Sequence, residues 1–158
     1  MPLKLDFKHG EKMIVNGAVM ENVGSNAQLL VHNKASIMRE KEILSNQEAA
    51  TPASRVYFEL QCAYIFRETR DEHLARFNQF LKDYIDACPS AADIGENIQR
   101  NVADGDLYKG LKATRNLISH EVKTFDAVNK GIDKLNNMAD EADSDAAGGA
   151  SSPSNAEA

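Results

Sequence analysis

The sequence predicts an α+β fold: a small antiparallel β-sheet or barrel of about five strands, then a three- to four-helix bundle and a disordered acidic tail. Three observations predict it. Short apolar runs joined by Gly and Asn turn dipeptides fill the first 43 residues. Apolar positions then recur at three- and four-residue steps from about Thr51 to Leu135. Beyond Asp140 bulky apolar residues give way to Asp, Ala, Gly and Ser. The expected organisation is a β module over 1–46, a helical domain over 51–138 and a disordered tail over 139–158.

Leu3-Lys4-Leu5-Asp6-Phe7 alternates apolar and polar residues, the period of a half-buried strand. His9-Gly10-Glu11 turns the chain into a second strand at Met13-Ile14-Val15. Asn16-Gly17 is a strong hairpin signal, because a type I′ turn needs positive φ at both central residues. The third strand is Ala18–Val23, Gly24-Ser25-Asn26 turns again, and the fourth is Gln28–His32. Asn33-Lys34 turns into a short fifth strand at Ser36–Arg39. Local connections of this kind predict a meander or small barrel.

Thr51-Pro52 opens the helices, with Thr as cap and Pro in the first turn. Val56, Leu60, Ala63 and Tyr64 mark one face of a helix over about 52–70. Leu74, Phe77, Leu81, Tyr84, Ile85 and Cys88 mark a second, which Pro89-Ser90 breaks. Ile94, Ile98 and Val102 mark a third, ending at Asp104-Gly105. The last helix carries a seam of nine positions from Leu107 through Thr114, Val122 and Val128 to Leu135. A seam that long exceeds what a domain of this size needs for its own core, which leaves part of it to pack on another subunit.

The net charge of −6 is unevenly placed: residues 136–158 carry five acids and no base, and the rest nets −1. No segment is strongly basic, so histone-like phosphate binding is excluded, and nucleic acid would have to be met through a few placed cations. No apolar run reaches membrane-spanning length and no signal-peptide core follows Met1, so a cytoplasmic address is expected. Cys62 and Cys88 lack metal-ligand or CxxC spacing and read as small buried hydrophobes. His9, His32, His73 and His120 are isolated, so no metal site is expected. No nucleophile elbow, phosphate loop or acid–base constellation is visible, so neither catalysis nor a cofactor is expected.

The candidate binding residues lie in the β module. Arg39 offers a planar fork for phosphate or a guanine edge, with Lys34 and Lys41 supplying charge around it. The competing reading is a solvated strand end, with Arg39 paired to Glu40 or Glu42. Tyr57, Phe58, Tyr64 and Phe66 crowd one helix and could stack on bases, although aromatics at helical spacing more often fill a core.

Met1-Pro2-Leu3-Lys4-Leu5, Gly10-Glu11-Lys12, Asn16-Gly17-Ala18-Val19, Asn33-Lys34-Ala35-Ser36, Arg39-Glu40-Lys41-Glu42-Ile43 and Thr51-Pro52-Ala53-Ser54-Arg55-Val56-Tyr57-Phe58 occur in this order. Together they resemble the FlbT family of flagellum biosynthesis repressors, from residue 1 to about 130. The resemblance implies a post-transcriptional regulator that associates with the 5′ untranslated region of flagellin mRNA and promotes its decay, with FlaF as a functional partner. The β module alone more weakly resembles the carbon storage regulator CsrA, an intertwined dimer that binds leader RNA. That likeness implies RNA contact by Arg39, matching a last-strand arginine, and by Lys8, near one of two first-strand arginines, while Phe7 stands in place of the other. The expected RNA-binding residues are therefore Arg39, Lys34, Lys8 and Lys41, and a homodimer is an expected assembly. The alternative is a protein-binding adaptor whose 107–135 seam holds a FlaF or flagellin helix.

Overall fold

The computed structural model describes residues 1–148. Five strands come first: β1 (Leu3–Phe7), β2 (Lys12–Val15), β3 (Ala18–Glu21), β4 (Ala27–Val31) and β5 (Ile37–Arg39). They form two small antiparallel sheets, neither closed into a barrel: β1 with β4, and β3-β2-β5. Asn16 (φ 49°) and Gly17 (φ 86°) both adopt the left-handed conformation that the hairpin between β2 and β3 requires. That hairpin takes one edge of β2, and β5 takes the other, with Met13 opposite Arg39. No edge of β2 is left for β1, which pairs instead with β4, Leu3 opposite Val31 and Phe7 opposite Ala27. Edge availability thus replaces the expected meander with a non-sequential pairing.

Four helices follow: α1 (Pro52–Ile65), α2 (Arg70–Ala87), α3 (Ala92–Ala103) and α4 (Leu107–Ala147). The start of α1 is fixed by a reciprocal cap. Thr51 Oγ1 accepts the Ser54 N–H at 3.2 Å, and Ser54 Oγ accepts the Thr51 N–H at 2.8 Å. Thr51→Ala is expected to cost about 1 kcal/mol. Urea unfolding would show it as a lowered midpoint at unchanged slope, and Thr51→Ser should restore most of the loss.

The core is built from Val56, Leu60 and Ala63 of α1, Phe77, Leu81 and Tyr84 of α2, Ile98 of α3, and Leu107, Leu111 and Leu117 of α4. Met38 of β5 joins the same cluster. The Gln61 amide, buried on α1, donates to the Leu44 carbonyl and accepts the Leu44 N–H, which pins the strand-to-helix connection to α1. Gly110 lets α4 approach α1: a Cβ there would lie 3.3 Å from Leu60 Cδ2.

Two expected boundaries change. The sequence predicts a division between strands and helices near 46–51, yet residues Met1–Ser119 form one compact unit and His120 onward a second. Met38 and the Gln61 clamp are the reason, since the strands share the helical core. The sequence also predicts disorder from about 139, whereas α4 continues to Ala147. Ala139, Glu141, Ala142, Ala146 and Ala147 are strong helix formers, and helix propensity outweighs the missing bulky side chains. The rest of the expected disordered tail, 149–158, lies outside the described residues.

Within the second unit α4 presents Val122, Phe125, Val128, Ile132, Leu135 and Met138 to solvent, each about half exposed or more. The first part of the predicted seam, from Leu107 to Thr114, is buried. Among the described residues no helix is long and apolar enough to cross a membrane.

Candidate functional site

The four expected binding residues fall in three places. Arg39, at the end of β5, reaches the turn between β1 and β2. Its Nε donates to Glu11 Oε1 at 2.7 Å, and a terminal nitrogen donates to the Asp6 carbonyl. The second guanidinium–carboxylate contact is 2.6 Å, and the Arg39 side chain is 27% exposed. Its partner is thus Glu11, 28 residues away, rather than Glu40 or Glu42. Glu42 does bond to the Arg39 backbone N–H, at 3.0 Å.

Lys8 sits at the same corner, exposed, and its backbone N–H donates to Glu11 Oε2 at 3.0 Å. That bond and the Arg39 guanidinium hold the Glu11 carboxyl below its ordinary range. Lys41 lines a hollow with Glu42, Tyr57 and Arg115.

Lys34 lies in a different setting. It lines an open cleft of about 650 Å³ with Tyr64 of α1, Arg67, Arg70 of α2, Asp104, Asp106 and Tyr108 of α4. The chain breaks between α1 and α2 at Phe66–Thr69, which places Arg67 on the rim. Arg70 is steadied by donating from Nε to the Ala63 carbonyl at 2.9 Å. Tyr64 is held by its hydroxyl, which accepts the Ile37 N–H at 2.9 Å.

The Tyr64 and Tyr108 rings lie 5.8 Å apart at 37°, and the Lys112 ammonium sits 4.7 Å over the Tyr108 ring. Asp106 caps α4 by accepting the Lys109 N–H at 3.0 Å. That bond is the main reason its carboxyl titrates below the ordinary range, with Lys34 adding to the effect. The Tyr108 hydroxyl donates to Glu42 Oε1 at 2.9 Å. Burial, reinforced by Glu42, pushes the Tyr108 phenol up to about 12.

The cleft therefore combines three cations, two carboxylates and a pair of tyrosines. Positive side chains can take phosphates, and the ring faces can take bases. Sequence reasoning finds Lys34 and names Tyr64 among the aromatics that could stack on bases, but passes over Arg67, Arg70 and Tyr108 as binding residues. The available signal is the pair of arginines three apart, Arg67 and Arg70, near the end of the first helix. Among the described residues no group of His, Cys, Asp or Glu is arranged to hold a metal ion. Burial pushes the Cys62 thiol up to about 11, which fits a packing role.

Comparison with known proteins places this arrangement in context. The family model described as "Flagellar protein FlbT" matches residues 3–125. The probable flagellum biosynthesis repressor protein FlbT 1 of Bradyrhizobium diazoefficiens is 39% identical over 124 residues, covering 78% of this chain and 84% of that protein. The probable repressor FlbT of Caulobacter sp. strain K31 is 36% identical over 77% of this chain and 94% of its own length. The flagellum biosynthesis repressor protein FlbT of Caulobacter vibrioides strain CB 15 is 31% identical over 84% of this chain and 95% of its own. No solved structure matches, and the likeness of the β module to CsrA is not confirmed. The family match and the near full-length relatives agree: the chain belongs to the FlbT family, whose members matched here are named flagellum biosynthesis repressors.

Proposed function

We propose that this repressor acts after transcription, associating with the 5′ untranslated region of flagellin mRNA and promoting its degradation, with the Lys34–Arg67–Arg70 cleft as the RNA contact. The observation that carries the reading is the convergence of those three cations on the Tyr64–Tyr108 pair. Unstructured leader RNA exposes phosphates and unstacked bases, and a cationic cleft with aromatic faces suits both. The near-neutral charge outside the tail limits the contacts to a few, so binding should depend only moderately on salt. Arg39 contributes only where RNA displaces Glu11, which makes Lys34 and Arg67 the stronger candidates. In this reading decay of the bound message is left to a recruited nuclease.

Fluorescence anisotropy of a labelled flagellin leader, titrated across salt concentrations, tests the proposal. Lys34→Ala and Arg67→Ala should each weaken binding and lower the salt slope by about 0.7 per lost phosphate contact. Arg39→Ala should have the smaller effect on affinity. Unchanged affinity and slope in both cleft variants would remove the cleft. A wild-type chain that ignores leader RNA at low salt yet captures FlaF or flagellin would replace the reading with the adaptor.

A further inference from the structure

The cleft is thinly charged on its own, because Asp104 and Asp106 line it beside Lys34, Arg67 and Arg70. Its positive wall continues past Tyr108. Tyr108, Lys112 and Arg115 follow one another at steps of four and three, so they share one face of α4 on successive turns. The Lys112 ammonium lies 4.7 Å over the Tyr108 ring, at the edge of the cleft. Arg115, one turn farther on, lines a second hollow of about 370 Å³ with Lys41, Ile43, Leu44 and Ile118. Lys41 and Lys112 are exposed, and Arg115 is about half exposed. From Leu107 to His120 the helix carries no acid.

Glu42 joins the two hollows and is already committed. Its side chain, 12% exposed, accepts the Tyr108 hydroxyl at 2.9 Å and the Arg39 backbone N–H at 3.0 Å. Arg115 meets it only at 3.5 Å. A guanidinium has five N–H donors, so Glu42 and the neighbouring Tyr57 hydroxyl leave some of them for a ligand.

We propose that leader RNA continues out of the cleft along this face of α4, with Lys112, Arg115 and Lys41 as further phosphate-positioning residues. The inference rests on the cleft reading and extends it. Cleft, helix face and hollow together set six cations against three carboxylates, in a chain that nets −1 outside its tail. Positive charge is thus concentrated along one path, as a polyanion requires. Tyr108 to Arg115 spans about 10 Å of helix. A strand advancing about 3.4 Å per stacked nucleotide crosses that in about three nucleotides. Ile43, Leu44 and Ile118 then give an unstacked base an apolar surface at the far end. An acidic peptide would suit the hollow alone, but it would leave the Tyr64–Tyr108 pair and Lys112 without a part.

Fluorescence anisotropy of the labelled flagellin leader across salt concentrations tests the path. Lys41→Ala and Lys112→Ala should each weaken binding about fivefold at about 0.1 M salt and lower the salt slope by about 0.7, additively in the double variant. Lys41 touches no residue of the cleft, so its effect is not transmitted through the Tyr108 ring. Lys82→Ala removes the same charge about 18 Å along α2 from Arg70 and should change neither quantity. Wild-type binding in Lys41→Ala and Lys112→Ala, with losses still seen in Lys34→Ala and Arg67→Ala, would overturn the extension and leave the cleft standing. No loss in any of the four would overturn both. Losses confined to Lys41→Ala and Lys112→Ala would overturn the cleft and with it the continuous path. An equal loss in Lys82→Ala would show a diffuse charge effect and overturn the path as well.

Discussion

Glu42→Ala is expected to lower stability by about 3 kcal/mol, since a nearly buried carboxylate with several donors is removed at once. Its side chain is 12% exposed. It accepts the Arg39 backbone N–H at 3.0 Å and the Tyr108 hydroxyl at 2.9 Å, and lies 3.5 Å from the Arg115 guanidinium. Arg115 is about half exposed and can return to water, so its loss contributes little. The Arg39 N–H and the Tyr108 hydroxyl are partly buried, and their desolvation goes uncompensated. The bond from the Tyr57 hydroxyl to the Glu42 carbonyl, 2.7 Å, survives truncation and limits the damage. Urea unfolding with an unchanged slope would measure the loss. A loss below about 1 kcal/mol would show that water replaces the carboxylate.

The same variant should alter the alkaline limb of the stability curve. The Tyr108 phenol is raised from 10.0 to about 12, so the protonated phenol favours the folded state. That contribution is complete below pH 10 and is lost as pH climbs toward 12. Burial causes the larger share of the shift and Glu42 the next. Glu42→Ala should therefore bring the phenol down, read as earlier phenolate absorbance, and flatten the loss of stability above pH 10.

What was legible in the sequence follows the range of the interactions that decide it. The Asn16-Gly17 hairpin and the Thr51-Pro52 start of α1 are fixed by residues within three positions of each other, and both stand as expected. The pairing of β1 with β4 is not local, for it depends on which edges of β2 the other strands have taken. The partner of Arg39 differs from the expected one for the same reason: Glu40 and Glu42 are its neighbours in sequence, whereas Glu11 is 28 residues away. The cleft draws on residues 34, 64, 67, 70 and 108, and only a fold brings them together. The length of the α4 seam is legible because its apolar repeat is periodic and local, and the part beyond Val122 does stand outside the core. Where it turns from buried to exposed depends on where the first unit ends.

Phe77→Ala is expected to cost about 3–5 kcal/mol. Phe77 is fully buried at the centre of the apolar face of α2, with Leu74 one turn before it and Leu81 and Tyr84 after it. That face packs against α1, whose Val56, Leu60 and Ala63 are themselves inaccessible to solvent. Truncation removes the ring and leaves a cavity that two closely packed helices cannot close without shifting. Phe77→Leu, which keeps most of the volume, should recover more than half of the loss. The consequence reaches the cleft, because α1 carries Tyr64, α2 begins at Arg70, and the bond from Arg70 Nε to the Ala63 carbonyl ties the two. If the cleft binds leader RNA as proposed, a loosened α1–α2 contact should weaken that binding in Phe77→Ala even below its unfolding temperature, and Phe77→Leu should restore it. If Phe77→Ala stays folded and binds RNA undiminished, the proposed contact does not depend on how tightly α1 and α2 pack.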